Sequence, residues 1–574
     1  FTAGGTLLAE NCWDDQYDLA FSLHLEKGES EYLCGNYKEA ERYFDEILQH
    51  ARTKVEKAIV YNSRIILYTN QTRYEDAVRA AIKGLTLFAV HVPFSPTRFE
   101  INWEILKSRI LLRRRKAEDL LLARSTDPET ESIMTLMMTV GPAALYVKRD
   151  LLNFFILKLV NQSLRHGNTR VSAVGFVTYA MIVGSVLGDL KSGFELGKMA
   201  LELNEQFNNV SLRSKVNHIF ALWSSHWRQH ARKNIEYCQT AIEAGLESGD
   251  QIYTCYAASV LSSTLIITGE PLPAVSRELN KYYELVNRAN YDELRLEVLI
   301  YRHFVANLLD ESSESDKSQF DGLDEQELQT VLQTFPNKGL FTEYQLYQIQ
   351  YLFLMQQFRE AYEIVSAMDP IVSKVFLGHL ELAEYTFYAS LTLMAVIHEL
   401  PHPDQKKAFK QLRRQRKRMK KWASNCAENF EHKHLLIEAE FARIGERRSE
   451  AMTYYEQAIA SARKNGYTQN LAIANELAAD FYSNTGYSNI ADLYYQEAIY
   501  SYKAWGAINK VKDLKQKHPN LLKPPSFDDQ SFLMQGNRPA GVPLTEISET
   551  LDIATVMKAS QAISSEVRIE QLLE

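Results

Sequence analysis

Three stretches of this chain carry residue types whose spacing could do chemistry. His398-Glu399-Leu400-Pro401-His402 matches the HExxH pattern literally. On one helix, that spacing sets two imidazoles on the same face to hold zinc, with the glutamate as general base. Here Pro401 stands inside the turn, where proline removes a backbone hydrogen bond and clashes with a preceding carbonyl. Pro403 follows at once. The stretch therefore reads as a helix end running into a loop, and a metallopeptidase is kept only as the enzymatic alternative. His432-Lys433-His434 is a second candidate for metal. With no third ligand in view, it reads as surface histidines on a helix. No phosphate loop of the GxxxxGKS or GxxxxGKT type, no HRD or DFG triplet, and no Ser/His/Asp or Cys/His arrangement is recognisable. The expectation is no catalytic residue, no metal and no cofactor.

The third stretch is basic. Lys406 to Lys421 holds ten Lys/Arg and no acid. Ala408, Leu412, Gln415, Met419 and Trp422 recur at i, i+4, i+7 spacing, which makes an amphipathic helix with one face docked. Arg413, Arg414, Arg416, Lys417, Arg418, Lys420 and Lys421 are its candidate interaction surface. That surface could meet an acidic protein (the chain's own body included), anionic lipid or nucleic acid, or simply be a solvated face. Arg113-Arg114-Arg115-Lys116 is similar but shorter, with Glu118 and Asp119 at helical reach.

The elements that must position these residues follow from composition and period. The chain has 574 residues, 46% hydrophobic and 24% charged, which excludes disorder as a whole. Glycine (24) and proline (15) are scarce and tyrosine (31) is plentiful. That disfavours turn-rich β folds and leans toward helical solenoids. Five scattered cysteines without a CxxC pair form neither a disulfide framework nor a zinc module, and suit a reducing, cytoplasmic setting. Net charge is −8; outside the basic run, 54 basic residues face 72 acidic ones, a balance of −18. Nucleic acid is an unlikely partner for such a body. Residues 171–188 are uncharged, but their polar residues and three glycines fit a buried repeat helix better than a membrane span.

Repeats organise the chain. Gly28 precedes the turn Gly35-Asn36-Tyr37, followed by Ala40, Phe44 and Ile47. Tyr74, Ala77 and Ala81 repeat that pattern 37 residues on, counted Tyr37 to Tyr74. Gly188-Asp189-Leu190 leads to Gly193, Gly197 and Ala200, and Phe358, Ala361 and Val365 form a weaker unit. The clearest pair is Ala451, Tyr455 and Ala458 against Ala491, Tyr495 and Ala498, offset by 40 residues, with Gly486 in the turn before the second. These spacings place the small and aromatic residues on one stripe of a second helix, the tetratricopeptide pattern. The expected fold is all-α: a solenoid of antiparallel helix pairs, with a C-terminal linker and helix. Residues 1–309 form an N-terminal repeat half, 310–322 an acidic loop, and 323–518 a C-terminal half. Residues 519–545 make a proline-rich linker and 546–574 a final helix.

HLEKGESEYLCGNYKEAERYFDEIL (24–48), FLGHLELAEYTFYASLTLMA (376–395), KKWASNCAENFEHKHLLIEAEFARI (420–444), NELAADFYSNTGY (475–487), YKAWGAINKVKDL (502–514) and LDIATVMKASQAISSEVRIEQLLE (551–574) resemble one family. It is the hybrid serine/threonine kinase, AAA-like ATPase and sensor histidine kinase signalling proteins best known from cyanobacteria. The resemblance implies a tetratricopeptide-like region between an ATPase and a GAF domain followed by a histidine kinase, with 546–574 leading into the GAF domain. Those catalytic domains would lie before Phe1 and after Glu574, so the chain reads as a piece of a larger protein. The resemblance implies a non-catalytic regulatory and interaction module. Its partners would be those neighbouring domains, another signalling protein, or a second copy met through the final helix. A stand-alone scaffold or transcription-regulator repeat protein is the other reading.

Overall fold

The computed structural model describes residues 11–113, 115, 117–309 and 323–519. Helix starts are written locally. Thr53 with Glu56, Thr97 with Glu100, and Asp324 with Glu327 each form a reciprocal capping box. Each box satisfies backbone N–H groups that the first helical turn leaves free. The described residues contain no strand; a single parallel bridge joins Arg124 and Asn168.

The helices pair in antiparallel order: Tyr17–Leu33 with Tyr37–His50, Lys54–Asn70 with Tyr74–Thr86, and so on to Thr468–Asn484 with Ser488–Trp505. The chain is an all-α helical-repeat solenoid. Inside the pairs, small residues permit close approach. Ala40, Ala77, Ala200, Ala451, Ala458, Ala491 and Ala498 are buried, with Phe44, Tyr455 and Tyr495 beside them. A Cβ on Gly28 would lie 2.8 Å from the Phe44 ring, so only glycine fits that crossing without a shift. Residues 171–186 form a buried helix, Ser172–Met181, closing in a π-turn, Ile182–Val186. No described helix is long and apolar enough to cross a membrane.

Some expected packing positions are turns instead. Tyr37 opens its helix just after its partner helix has ended at Leu33, and is 39% exposed. Tyr74 is half-buried and stacks on Tyr146 at 4.5 Å. Gly188 and Gly486 sit in the connecting turns at φ of +76° and +89°. They serve backbone conformation there, not helix contact.

The division at 310–322 is also not a division of the core. That segment lies outside the described residues, but Asp292–Leu309 packs on Lys338–Leu354 and on Ile508–Lys517. The described residues from 11 to 519 belong to one compact unit. One apolar cluster runs from Leu190 to Leu514, a second from Ala58 to Phe220. The linker expected at 519–545 lies, apart from Pro519, outside the described residues, as does the helix expected at 546–574.

Candidate functional site

The helix His402–Asn425 buries Ala408, Leu412, Gln415, Met419 and Trp422 and turns its cations away from that face. The cations divide into two groups. Arg416 donates to Glu438 through Nε and Nη2, one to each carboxylate oxygen, and lies 3.6 Å over the Phe441 ring. Arg414 pairs with Asp369, Arg418 donates to Ser373 Oγ at 3.2 Å, and Lys421 donates to the Gly188 carbonyl at 3.1 Å. Burial lowers the Arg418 pKa, with Arg414 adding to the effect. These four residues hold the fold together; Arg416 and Arg418 are only half-exposed. Lys406, Lys410, Arg413, Lys417 and Lys420 are exposed. Their steps of four and three put them on one face, a row about 21 Å long at 1.5 Å per residue.

The HExxH stretch is broken as its proline requires. His398 and Glu399 lie in a 3-10 turn, Ile397–Glu399, and His402 begins the next helix beyond Pro401. The two imidazoles are exposed on different elements and cannot share a zinc as in a peptidase. Among the described residues no group of three or more His, Cys, Asp or Glu could hold a metal ion.

His432 and Lys433, expected on the surface, are interior. His432 is buried against Tyr467 with its Nε2 2.9 Å from Asn470 Nδ2, and burial drives its pKa well below the usual value. Lys433 meets Glu384 inside the core. Further carboxylates, buried or half-buried, continue this polar interior. Tyr301 OH donates to Glu297 at 3.0 Å and reaches Glu343 at 3.4 Å. Glu476 accepts from Tyr502 OH at 2.7 Å and from Lys510 Nζ at 2.6 Å. Burial pushes the Glu297 carboxyl up to about 7, and raises Glu343 and Glu381 too, with like charges adding to it. Asp480, beside Glu476, rises to about 6 for the same reason.

The larger surprise is a seam between distant repeats. Asn429 Nδ2 donates to the carbonyls of His226 and Gln229; its Oδ1 accepts from Ala231 N–H and Tyr467 OH. Gln469 donates to the Ile267 carbonyl at 2.7 Å, and Asn509 to the Asn307 carbonyl at 3.1 Å. Sequence separations are 203, 202 and 202 residues. The amides are spaced by the same 40-residue period as the Ala451 and Ala491 units, and the carbonyls follow nearly the same spacing. A Cβ on Gly269 would lie 1.8 Å from Gln469 Oε1, so the turn facing Gln469 across the seam must be bare there. Trp227 packs on Trp422 and Phe430 beside it, at 5.4 and 5.5 Å. Beside His230 and Gly466 an open notch of about 440 Å³ remains, with Arg232, Lys233 and Arg463 paired to Glu270, Glu236 and Glu497. The sequence reading missed the seam; its signal was the recurrence of an amide at 429, 469 and 509.

Residues 327–490 match the family model described as CHK1-like, TPR repeats. Hybrid signal transduction histidine kinase G of Dictyostelium discoideum is 20% identical over 316 residues, 52% of this chain and 9% of that protein. The chain thus spans less than a tenth of that relative's length. A solved circular tandem repeat protein, with novel repeat topology and enhanced subunit contact surfaces, covers 87% of this chain and 97% of its own. Its identity is 11% and its TM-score 0.15, a likeness too slight to carry an argument. The described residues are thus an all-α helical-repeat array, within which residues 327–490 are similar to CHK1-like tetratricopeptide repeats.

Proposed function

We propose that the chain is a non-catalytic protein-interaction module that regulates a multidomain signalling kinase. The observation that carries this reading is the row Lys406, Lys410, Arg413, Lys417 and Lys420, held rigid by a helix whose opposite face is docked. Neighbouring cations that could have joined it are spent on the fold. Such a row favours an acidic protein surface, because complementary charge speeds encounter and fixes register. The likeness to a hybrid histidine kinase supports kinase domains of the same polypeptide as partners; ATPase and GAF domains are implied by the sequence resemblance alone. A repeat array packed into one core can pass a small shift at one end to the other as a change between two packings.

The test starts with the reading frame on both sides of residues 1–574. Histidine autophosphorylation of the full-length protein is then compared with that of Lys410→Glu/Arg413→Glu/Lys417→Glu. A change of about fivefold or more is expected, the size of a typical coupling free energy. A frame without catalytic domains, or an unchanged rate, overturns the proposal.

A further inference from the structure

Helix Arg98–Leu112 packs Ile101, Ile105, Leu111 and Leu112 half-buried against the core, yet it also turns large apolar residues to solvent. Its fully buried side chains are polar: Glu104 and Ser108. Glu104 accepts from Lys107 Nζ and Asn161 Nδ2, each at 2.8 Å, with Lys158 Nζ at 3.5 Å. Ser108 Oγ donates to Asn161 Oδ1 at 2.9 Å. Toward solvent the helix shows Phe99, Trp103, Leu106 and Ile110, which are 77%, 50%, 46% and 63% exposed. Steps of four, three and four set them on one stripe, roughly 16 Å long. Single exposed apolar residues are normal on a protein; a continuous large-residue stripe marks a contact surface. An amphipathic partner helix anchors on this spacing with its own i, i+3, i+4 and i+7 residues.

The flanking charge selects the occupant. Arg98, Arg109 and Arg113 are exposed, and helical phase puts all three along one edge of the stripe. None of them is in an ion pair among the described residues. On the other edge, Glu100 is already tied to Thr97 in the N-terminal cap. A second copy of the chain fits poorly. Antiparallel pairing about a two-fold axis sets Arg98 against Arg109 and Arg113 of the copy, which desolvates like charges. Parallel pairing sets the arginine edge against the copy's other edge, where Lys107 is a further cation and Glu100 is already held by Thr97, so the arginines gain no free carboxylate.

We propose that this stripe docks an amphipathic helix of a partner protein, apolar along one face and acidic along one flank. The proposal rests on the reading of the chain as an interaction module, and names a second surface for it, separate from the basic row.

The test uses the whole chain and two synthetic 18-residue helices. Both carry a leucine stripe; one is flanked by glutamate, the other by lysine. Fluorescence anisotropy of the labelled peptide gives the affinity. The acidic peptide should bind about tenfold or more tightly than the basic one. Leu106→Asp/Ile110→Asp should weaken it about tenfold, since anchor residues carry most of such an interface. Melting temperature should hold, both residues being exposed. Arg109→Glu/Arg113→Glu should reverse the peptide preference. Equal affinity for the two peptides, or indifference to the substitutions, overturns the proposal. So does binding to phosphatidylserine vesicles with neither peptide bound, which makes the stripe a membrane contact. A dimer seen by light scattering and dissociated by Leu106→Asp/Ile110→Asp overturns it in favour of a second copy. If the acidic peptide binds but autophosphorylation ignores the basic row, the regulatory reading falls and this one stands. The converse result removes only this one.

Discussion

Lys433 Nζ lies 2.7 Å from Glu384 Oε1, and the two side chains are 1% and 3% exposed. Lys433 also stands over the Phe387 ring, 4.9 Å from its centre. Burial pushes Glu384 up and Lys433 down, and each holds the other back toward its charged form. Breaking a buried pair strands one charge, which costs far more than removing both. Lys433→Met is therefore expected to destabilise by about 3–5 kcal/mol, and Lys433→Met/Glu384→Leu to recover most of that. Guanidinium titration followed by circular dichroism measures it. A single substitution costing under about 1 kcal/mol would mean the pair is neutral or wet.

The amide ladder should show a graded response. Asn429 makes three hydrogen bonds across the seam and accepts a fourth from Tyr467 OH of the next repeat, Gln469 makes one to the Ile267 carbonyl, and half-buried Asn509 one to the Asn307 carbonyl. A buried polar group left unpaired costs about 1–3 kcal/mol. Alanine substitution should therefore hurt in the order Asn429, Gln469, Asn509. Hydrogen exchange at the Ala231 amide is the local readout, because that N–H loses its acceptor in Asn429→Ala. Unchanged protection there would show that the seam opens in solution.

Glu297 makes stability depend on pH. Its folded carboxyl is raised from 4.5 to about 7, chiefly by burial. Between those values the folded state holds a proton the unfolded state has lost, so stability falls as pH rises. Glu297→Gln keeps the acceptor for Tyr301 OH without the charge. The variant should match the parent near pH 4.5 and exceed it above pH 7.5, by on the order of 3 kcal/mol. The buried histidines work in the opposite sense: His218 and His226 are lowered to about 3, so their contribution is lost as pH falls below 6.5. They are common to both proteins and cancel in the comparison. A difference that stays flat across this range would show that the folded Glu297 carboxyl is not raised.

On the basic helix, exposed and engaged cations should separate cleanly. Lys410→Glu/Arg413→Glu/Lys417→Glu is expected to leave stability within about 0.5 kcal/mol per site, as solvated substitutions do. Arg416→Ala loses the two-pronged bond to Glu438 and the Phe441 face, and should cost about 1.5–3 kcal/mol. Thermal melts of the two variants distinguish them. Equal losses would show that the outward row is packed after all.

Several features were legible in the residues alone. The docked stripe of the basic helix, from Ala408 to Trp422, was written in its own spacing. So was the break at Pro401, which a ring without an N–H enforces wherever it falls. His432 and Lys433 were not legible. On a helix, polar residues face water by default, and only a neighbour with a matching group reverses that. Lys433 is interior because Glu384 waits on another helix, and His432 because Asn470 does. Helix Arg98–Leu112 shows the same limit: it has both polar and apolar residues at helical spacing, and its sequence does not say which set turns inward.

The sequence by itself determined the all-α class, the repeat period and the small-residue stripes, because each depends on residues within about one helical pair. Tertiary structure decided that repeats some 200 residues apart meet in one core, and that carboxylates, lysines and histidines lie inside it. The meeting depends on the small rotation between successive repeats, summed over about five of them. No window of sequence holds that sum. Where it brings helices together, a buried polar group is stable only if its partner arrives with it, so the interior polar network exists only in the assembled fold.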